Sequence, residues 1–127
     1  DVCSSDLKKI AIVDDENDIL DVLDRFLSRS GNLQIKTFNN PIDGLADVQR
    51  GGYDLVLLDI MMPQMDGIEF LKKVKESNPE VQVVMMTAFT TLERTIDAHK
   101  FGAKNYLTKP FENLKQVQEK VFKVLGI

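Results

Sequence analysis

Along this chain, short dense apolar runs alternate with longer stretches in which apolar residues recur every three or four positions. Lys8-Lys-Ile-Ala-Ile-Val13 is the first dense run. Leu33-Gln-Ile-Lys-Thr-Phe38 alternates at period two, as a strand near a sheet edge does. Asp54-Leu-Val-Leu-Leu-Asp59 sets four apolar residues between two aspartates, the pattern of a strand buried on both faces. Val81-Gln-Val-Val-Met-Met86 and Asn105-Tyr-Leu-Thr108 are two further strands. Between them lie helical patterns. Ile19, Leu20, Leu23, Phe26 and Leu27 predict a helix over 17–30, stopped by Gly31. Asn40 as N-cap and Pro41 at the first helical position open a second helix that runs to about Arg50. A third covers 68–77 and breaks at Asn78-Pro79. A fourth is expected from Thr90 or Thr91 to Phe101, and a fifth over 112–125, with Leu114, Val117, Val121, Val124 and Leu125 on one side. The order is strand–helix five times over, which implies an α/β fold: a parallel sheet with right-handed crossovers and helices on both faces.

Length and charge narrow the function. With 127 residues the chain is one domain, large enough for a core without disulfides or a structural metal. Residues 1–7 show neither period and are expected to be a non-native or disordered leader, leaving 8–127 as the domain. Net charge is −4 and the pI about 5.0, which gives this segment no grip on nucleic acid or an anionic membrane. One cysteine, Cys3, allows no intrachain disulfide, and no apolar run approaches a membrane span. A reducing, cytoplasmic setting is expected.

Candidate chemistry sits where the strands stop. The first strand ends in Asp14, Asp15 and Glu16, the third in Asp59, the fourth in Thr87 and the fifth in Lys109. The second offers only Thr37 and Asn39. In open α/β sheets, ligands collect at the carboxyl ends of the strands.

The set Asp14-Asp15, Asp59, Thr87 and Lys109-Pro110, each at the end of its own strand, resembles the receiver domain of two-component response regulators. Met62-Pro63 and Asp66-Gly67 match that family too, and the resemblance covers about residues 8–125. It implies a flavodoxin-like, doubly wound (βα)5 sheet of order 2-1-3-4-5. In that order the first and third strands are neighbours, so Asp14, Asp15 and Asp59 share a pocket. Three close carboxylates repel, and Mg2+, which favours hard oxygen ligands, would relieve them. The resemblance makes Asp59 the phosphoacceptor. It gives Mg2+ to Asp15, Asp59 and the backbone carbonyl of Met61, with Asp14 acting through water. Lys109 and Thr87 would contact phosphoryl oxygens, and Thr87 with Tyr106 would form the switch. The implied partners are a sensor histidine kinase or phosphotransfer protein. A partner or a second copy of the domain would dock on the face of the fourth helix, fifth strand and fifth helix, including Phe101, Asn105 and Tyr106. The domain would be a signalling switch that assists its own phosphotransfer and dephosphorylation, and not an enzyme.

Two other readings compete. A haloacid-dehalogenase-type phosphohydrolase also uses a strand-end aspartate but needs a second acid two residues on, where Met61 stands. A flavodoxin-like cofactor binder needs a phosphate-cradling loop after the first strand, where Asp14-Asp15-Glu16 would repel a phosphate. His99 reads as a surface residue of the fourth helix, and Met61, Met62, Met65, Met85 and Met86 as packing.

Overall fold

The computed structural model describes residues 7–60, 62–88, 105–109 and 113–127, with the backbone alone at 87, 88, 108 and 109. In chain order they form β1 (Lys8–Val13), α1 (Asn17–Ser28), β2 (Leu33–Phe38), α2 (Pro41–Gln49), β3 (Leu55–Asp59), α3 (Gly67–Ser77), β4 (Gln82–Ala88), β5 (Asn105–Lys109) and a C-terminal helix (Leu114–Leu125). The fourth helix expected over 90–101, with His99 and Phe101, lies outside the described residues, as do Cys3, Met61, Phe89 and Pro110.

The five strands form one sheet in the order β2-β1-β3-β4-β5, and each neighbouring pair is parallel. This is the doubly wound order expected above. Successive side chains of the inner strands point to opposite faces, so each strand feeds two cores. Ala11, Val13, Val56 and Leu58 pack with Val48 of α2 and with Leu71 and Val74 of α3. Ile10, Ile12, Leu55 and Leu57 pack with Leu23 and Leu27 of α1 and with Val117 and Val121 of the C-terminal helix. All of these side chains are fully buried, which is why β1 and β3 read as unbroken apolar runs. The edge strand β2 alternates in exposure along most of its length, as its period-two sequence requires.

Caps fix where the helices begin. Asn40 Oδ1 accepts the Ile42 N–H at 2.9 Å, Asp66 Oδ1 the Ile68 N–H at 2.8 Å and Asn113 Oδ1 the Lys115 N–H at 2.8 Å. Glu16, at the start of α1, makes no such bond with its side chain. At the foot of β3, Asp54 clasps three strands: its N–H donates to Lys9 O at 2.8 Å, its Oδ2 accepts the Lys9 N–H at 2.9 Å, and its carbonyl accepts the Gln82 N–H at 3.2 Å.

The strands run further than the apolar pattern suggested. β4 continues to Ala88 and β5 to Lys109, with Thr87 opposite Thr108 and Ala88 opposite Lys109. A parallel ladder is made by backbone groups, so it does not stop where the side chains turn polar. Thr87 and Lys109 are therefore strand residues rather than the first loop residues. No helix among the described residues is long and apolar enough to cross a membrane.

Candidate functional site

β1 and β3 are adjacent, with Val13 opposite Leu58, so the residues that follow, Asp14 and Asp59, come up side by side. From β1 the chain leaves through α1 towards one face; from its neighbour β3 it leaves through α3 towards the other. This divergence opens a crevice above the carboxyl ends of β1 and β3, the switch point of the sheet.

Asp14, Asp15 and Asp59 meet there, each offering a carboxylate oxygen within 4.8 Å of the others. Asp14 is fully buried and Asp59 is 6% exposed, whereas Asp15 faces solvent. Asp14 is fixed twice over. Its N–H donates to Phe38 O at 3.1 Å, and its Oδ1 accepts the Glu16 N–H at 2.9 Å, which turns the chain into α1. Asp59 is the last residue of β3, opposite Met86 of β4. Beyond it, the Ile60 N–H donates to Met86 O at 3.2 Å, and the Ile60 carbonyl accepts the Gly67 N–H at 2.9 Å.

Three carboxylates this close repel, and two of them have little water to screen the repulsion. The donor set suits a hard divalent cation. Oxygens bound to one such ion at about 2.0–2.6 Å lie within about 5 Å of one another, which is the spread found here. A more open polar cleft of about 560 Å³ lies at the same end of the sheet, lined by Asn17, Asp21, Asn39, Asn40 and Asp43 among others, and it contains none of the three aspartates.

The backbones of Thr87 and Lys109 reach the same edge of the sheet on β4 and β5, one and two ladder positions past the level of Asp59. Their side chains, and the carbonyl of Met61, lie outside the described residues. Tyr106 is half-buried on the α2–α3 side of the sheet, and burial raises its hydroxyl pKa above the ordinary tyrosine value.

Two contributions escaped the sequence reading. Asp66-Gly67 was noted there only as a motif. Asp66 caps α3, and Gly67 lies flat against the backbone of Asp59 and Ile60. The other lies towards the opposite end of the sheet. There the Tyr53 hydroxyl donates to Asp47 Oδ2, Lys9 Nζ stands 4.4 Å from the Tyr53 ring centre, and Lys36 pairs with Asp47 at 3.3 Å. The Tyr53 hydrogen bond holds the Asp47 carboxyl below its usual range, and burial with that same bond pushes the Tyr53 phenol up.

Residues 10–122 match the family model of the response regulator receiver domain. The transcriptional regulatory protein ZraR of Klebsiella oxytoca is 39% identical over 103 residues, covering 81% of this chain and 23% of that protein. The DNA-binding transcriptional regulator NtrC of Salmonella typhimurium is 41% identical over 101 residues, covering 80% of this chain and 21% of that one. The chain thus spans about a quarter or less of the length of these curated relatives. Among solved structures, a CheY-like receiver domain protein of Methanospirillum hungatei superposes with a TM-score of 0.89 at 32% identity, covering 94% of each chain. The fold is thus shared over 94% of the chain with a solved receiver domain, and with residues 10–122 matching the family model, the chain belongs to the response regulator receiver domains.

Proposed function

We propose that Asp59 is the phosphoacceptor of this receiver domain, loaded from a histidine kinase, a phosphotransfer protein or a small phosphodonor in the presence of Mg2+. The observation that carries the reading is the meeting of Asp14, Asp15 and Asp59 within 4.8 Å at the switch point. A carboxylate oxygen of Asp59 forms the new bond to phosphorus. The bond from phosphorus to the donor nitrogen or oxygen breaks, and the donor leaves with its electron pair. Asp59 suits the task because it ends a fully buried strand and cannot swing away with a loop. Asp15 and Asp59, with the Met61 carbonyl, would hold Mg2+ directly and Asp14 would hold it through water; bound there, the ion neutralises charge on the phosphoryl oxygens. Lys109 is assigned a charge-assisted hydrogen bond to one phosphoryl oxygen and Thr87 a hydroxyl bond to another. The support for both is their place on β5 and β4 at the edge that Asp59 occupies.

Receiver domains are signalling switches, and in this reading the same residues assist both loading and hydrolysis of the aspartyl phosphate. Thr87, drawn to a phosphoryl oxygen, would leave room beside β5 for Tyr106 to turn inward, giving two states with different contacts. The face that responds would include Phe101, Asn105 and Tyr106 and would dock a second copy or an output partner. The relatives are named as transcriptional regulators, which points to transcription as the output and the cytoplasm as the setting. No observation favours a haloacid-dehalogenase-type hydrolase, whose second acid would stand at Met61.

The test is intact-mass analysis after incubation with acetyl phosphate and Mg2+. The wild type should gain one phosphate-sized increment, and Asp59→Asn none. An increment that survives in Asp59→Asn overturns the assignment.

A further inference from the structure

We infer that Gly67 is a positioning residue for the acceptor: by having no side chain it lets the first turn of α3 lie on the backbone of Asp59 and Ile60 and hold the Asp59 carboxylate beside Asp14 and Asp15. The inference rests on the reading of Asp59 given above. A Cβ at Gly67 would fall 2.5 Å from the Asp59 carbonyl oxygen, 2.7 Å from Ile60 Cα and 2.9 Å from the Ile60 carbonyl oxygen. All three are backbone atoms, so no change of rotamer makes room. The backbone of Gly67 is not left-handed, so the position demands space and not a special conformation.

The peptide that a side chain would displace has nowhere to go. Ile60 is fully buried, its N–H is bonded to Met86 O at 3.2 Å, and its carbonyl takes the Gly67 N–H at 2.9 Å. The start of α3 is itself fixed by the Asp66 cap, at 2.8 Å to the Ile68 N–H. The acceptor strand therefore ends in a vice, with β4 on one side and α3 on the other. An added methyl must push one jaw back by about half an ångström or more, roughly the tolerance within which a site of oriented carboxylates keeps its function. Gly44 shows the contrast. Its Cβ would meet side-chain atoms of Val13 and Phe38 at 3.2 and 3.3 Å, and no backbone of the acceptor strand.

Gly67→Ala and Val74→Ala test the role by Mg2+ titration, thermal melting and acetyl phosphate labelling. Val74 is a fully buried residue of the same helix, and its truncation destabilises α3 without touching Asp59. Gly67→Ala should weaken Mg2+ binding about tenfold or more, the scale seen when supporting residues of a metal site are lost, and slow labelling. Val74→Ala should melt lower yet keep Mg2+ affinity within about twofold of wild type. Wild-type Mg2+ affinity in Gly67→Ala, or an equal loss in Val74→Ala, overturns the positioning role while the function of Asp59 stands. A wild-type domain that takes up neither Mg2+ nor phosphate overturns the reading of the site itself. Should Gly67→Ala not fold, the wild-type amides decide. Exchange at the Gly67 N–H should slow on saturation with Mg2+ by more than that of Gly126, bonded to Phe122 O at 2.9 Å at the end of the C-terminal helix. Equal behaviour of the two amides overturns the role.

Discussion

Asp15 and Glu16 are adjacent, acidic and exposed, yet only Asp15 brings an oxygen to the group with Asp14 and Asp59. Asp15→Asn should therefore weaken Mg2+ binding by about tenfold or more, and Glu16→Gln should leave it almost unchanged. Equal losses in a metal titration would contradict the assignment. These acids were legible in the sequence because each follows an apolar run, and the end of a strand is a local signal. The pair Tyr53–Asp47 was not, since it depends on how the end of α2 lies against the feet of β1 and β3. Removing its hydrogen bond in Tyr53→Phe should cost about 1–2 kcal/mol near neutral pH, read by denaturant titration. Its pH dependence has a defined sign. Asp47 titrates lower in the folded state, so its contribution is present above the unfolded value of 3.8 and is lost as pH falls through the folded one. Tyr53 titrates higher in the folded state, so its contribution is present below 10.0 and is lost as pH rises beyond it. The stability profile of Tyr53→Phe should be flatter than that of wild type at both ends.

At the scale of elements, the starts of helices were only partly readable. Asn40-Pro41 announced α2, because a cap followed by proline is a two-residue signal. The start of the C-terminal helix was placed over Glu112, but Asn113 is its cap and Leu114 its first residue. A single asparagine among polar neighbours is a weak mark until its oxygen is seen on the Lys115 N–H. Asn113→Ala should lower stability by about 1 kcal/mol and leave Asp59 labelling at wild-type rates, because that cap touches none of the three aspartates. Loss of labelling would show that the C-terminal helix bears on the acceptor. The strand ends were misjudged by one or two residues for a related reason. Hydrophobicity reports burial, whereas β4 and β5 persist for as long as each supplies hydrogen bonds to the other.

For the whole molecule, the fold was legible because all five strands and the four described helices state their periods plainly. The strand order was not written in periodicity and came from the resemblance. The carboxylate cluster has a global consequence: Mg2+ that binds only the folded state should stabilise it by about 2.7 kcal/mol at a hundredfold excess over Kd, and so raise the melting temperature. Asp15→Asn should blunt that rise, and scanning calorimetry with and without chelator measures it. The clasp at Asp54 carries a further consequence, for the order in which the chain assembles. Its bond to the Lys9 amide joins residues 45 apart in sequence, so it forms only when two distant segments find one register. The chain between them must give up its freedom before that contact returns anything, which makes the meeting of β1 and β3 the natural bottleneck of folding. Asp54→Ala should then slow refolding in a stopped-flow chevron and leave the unfolding limb nearly unmoved. A change confined to unfolding would place the clasp after the barrier.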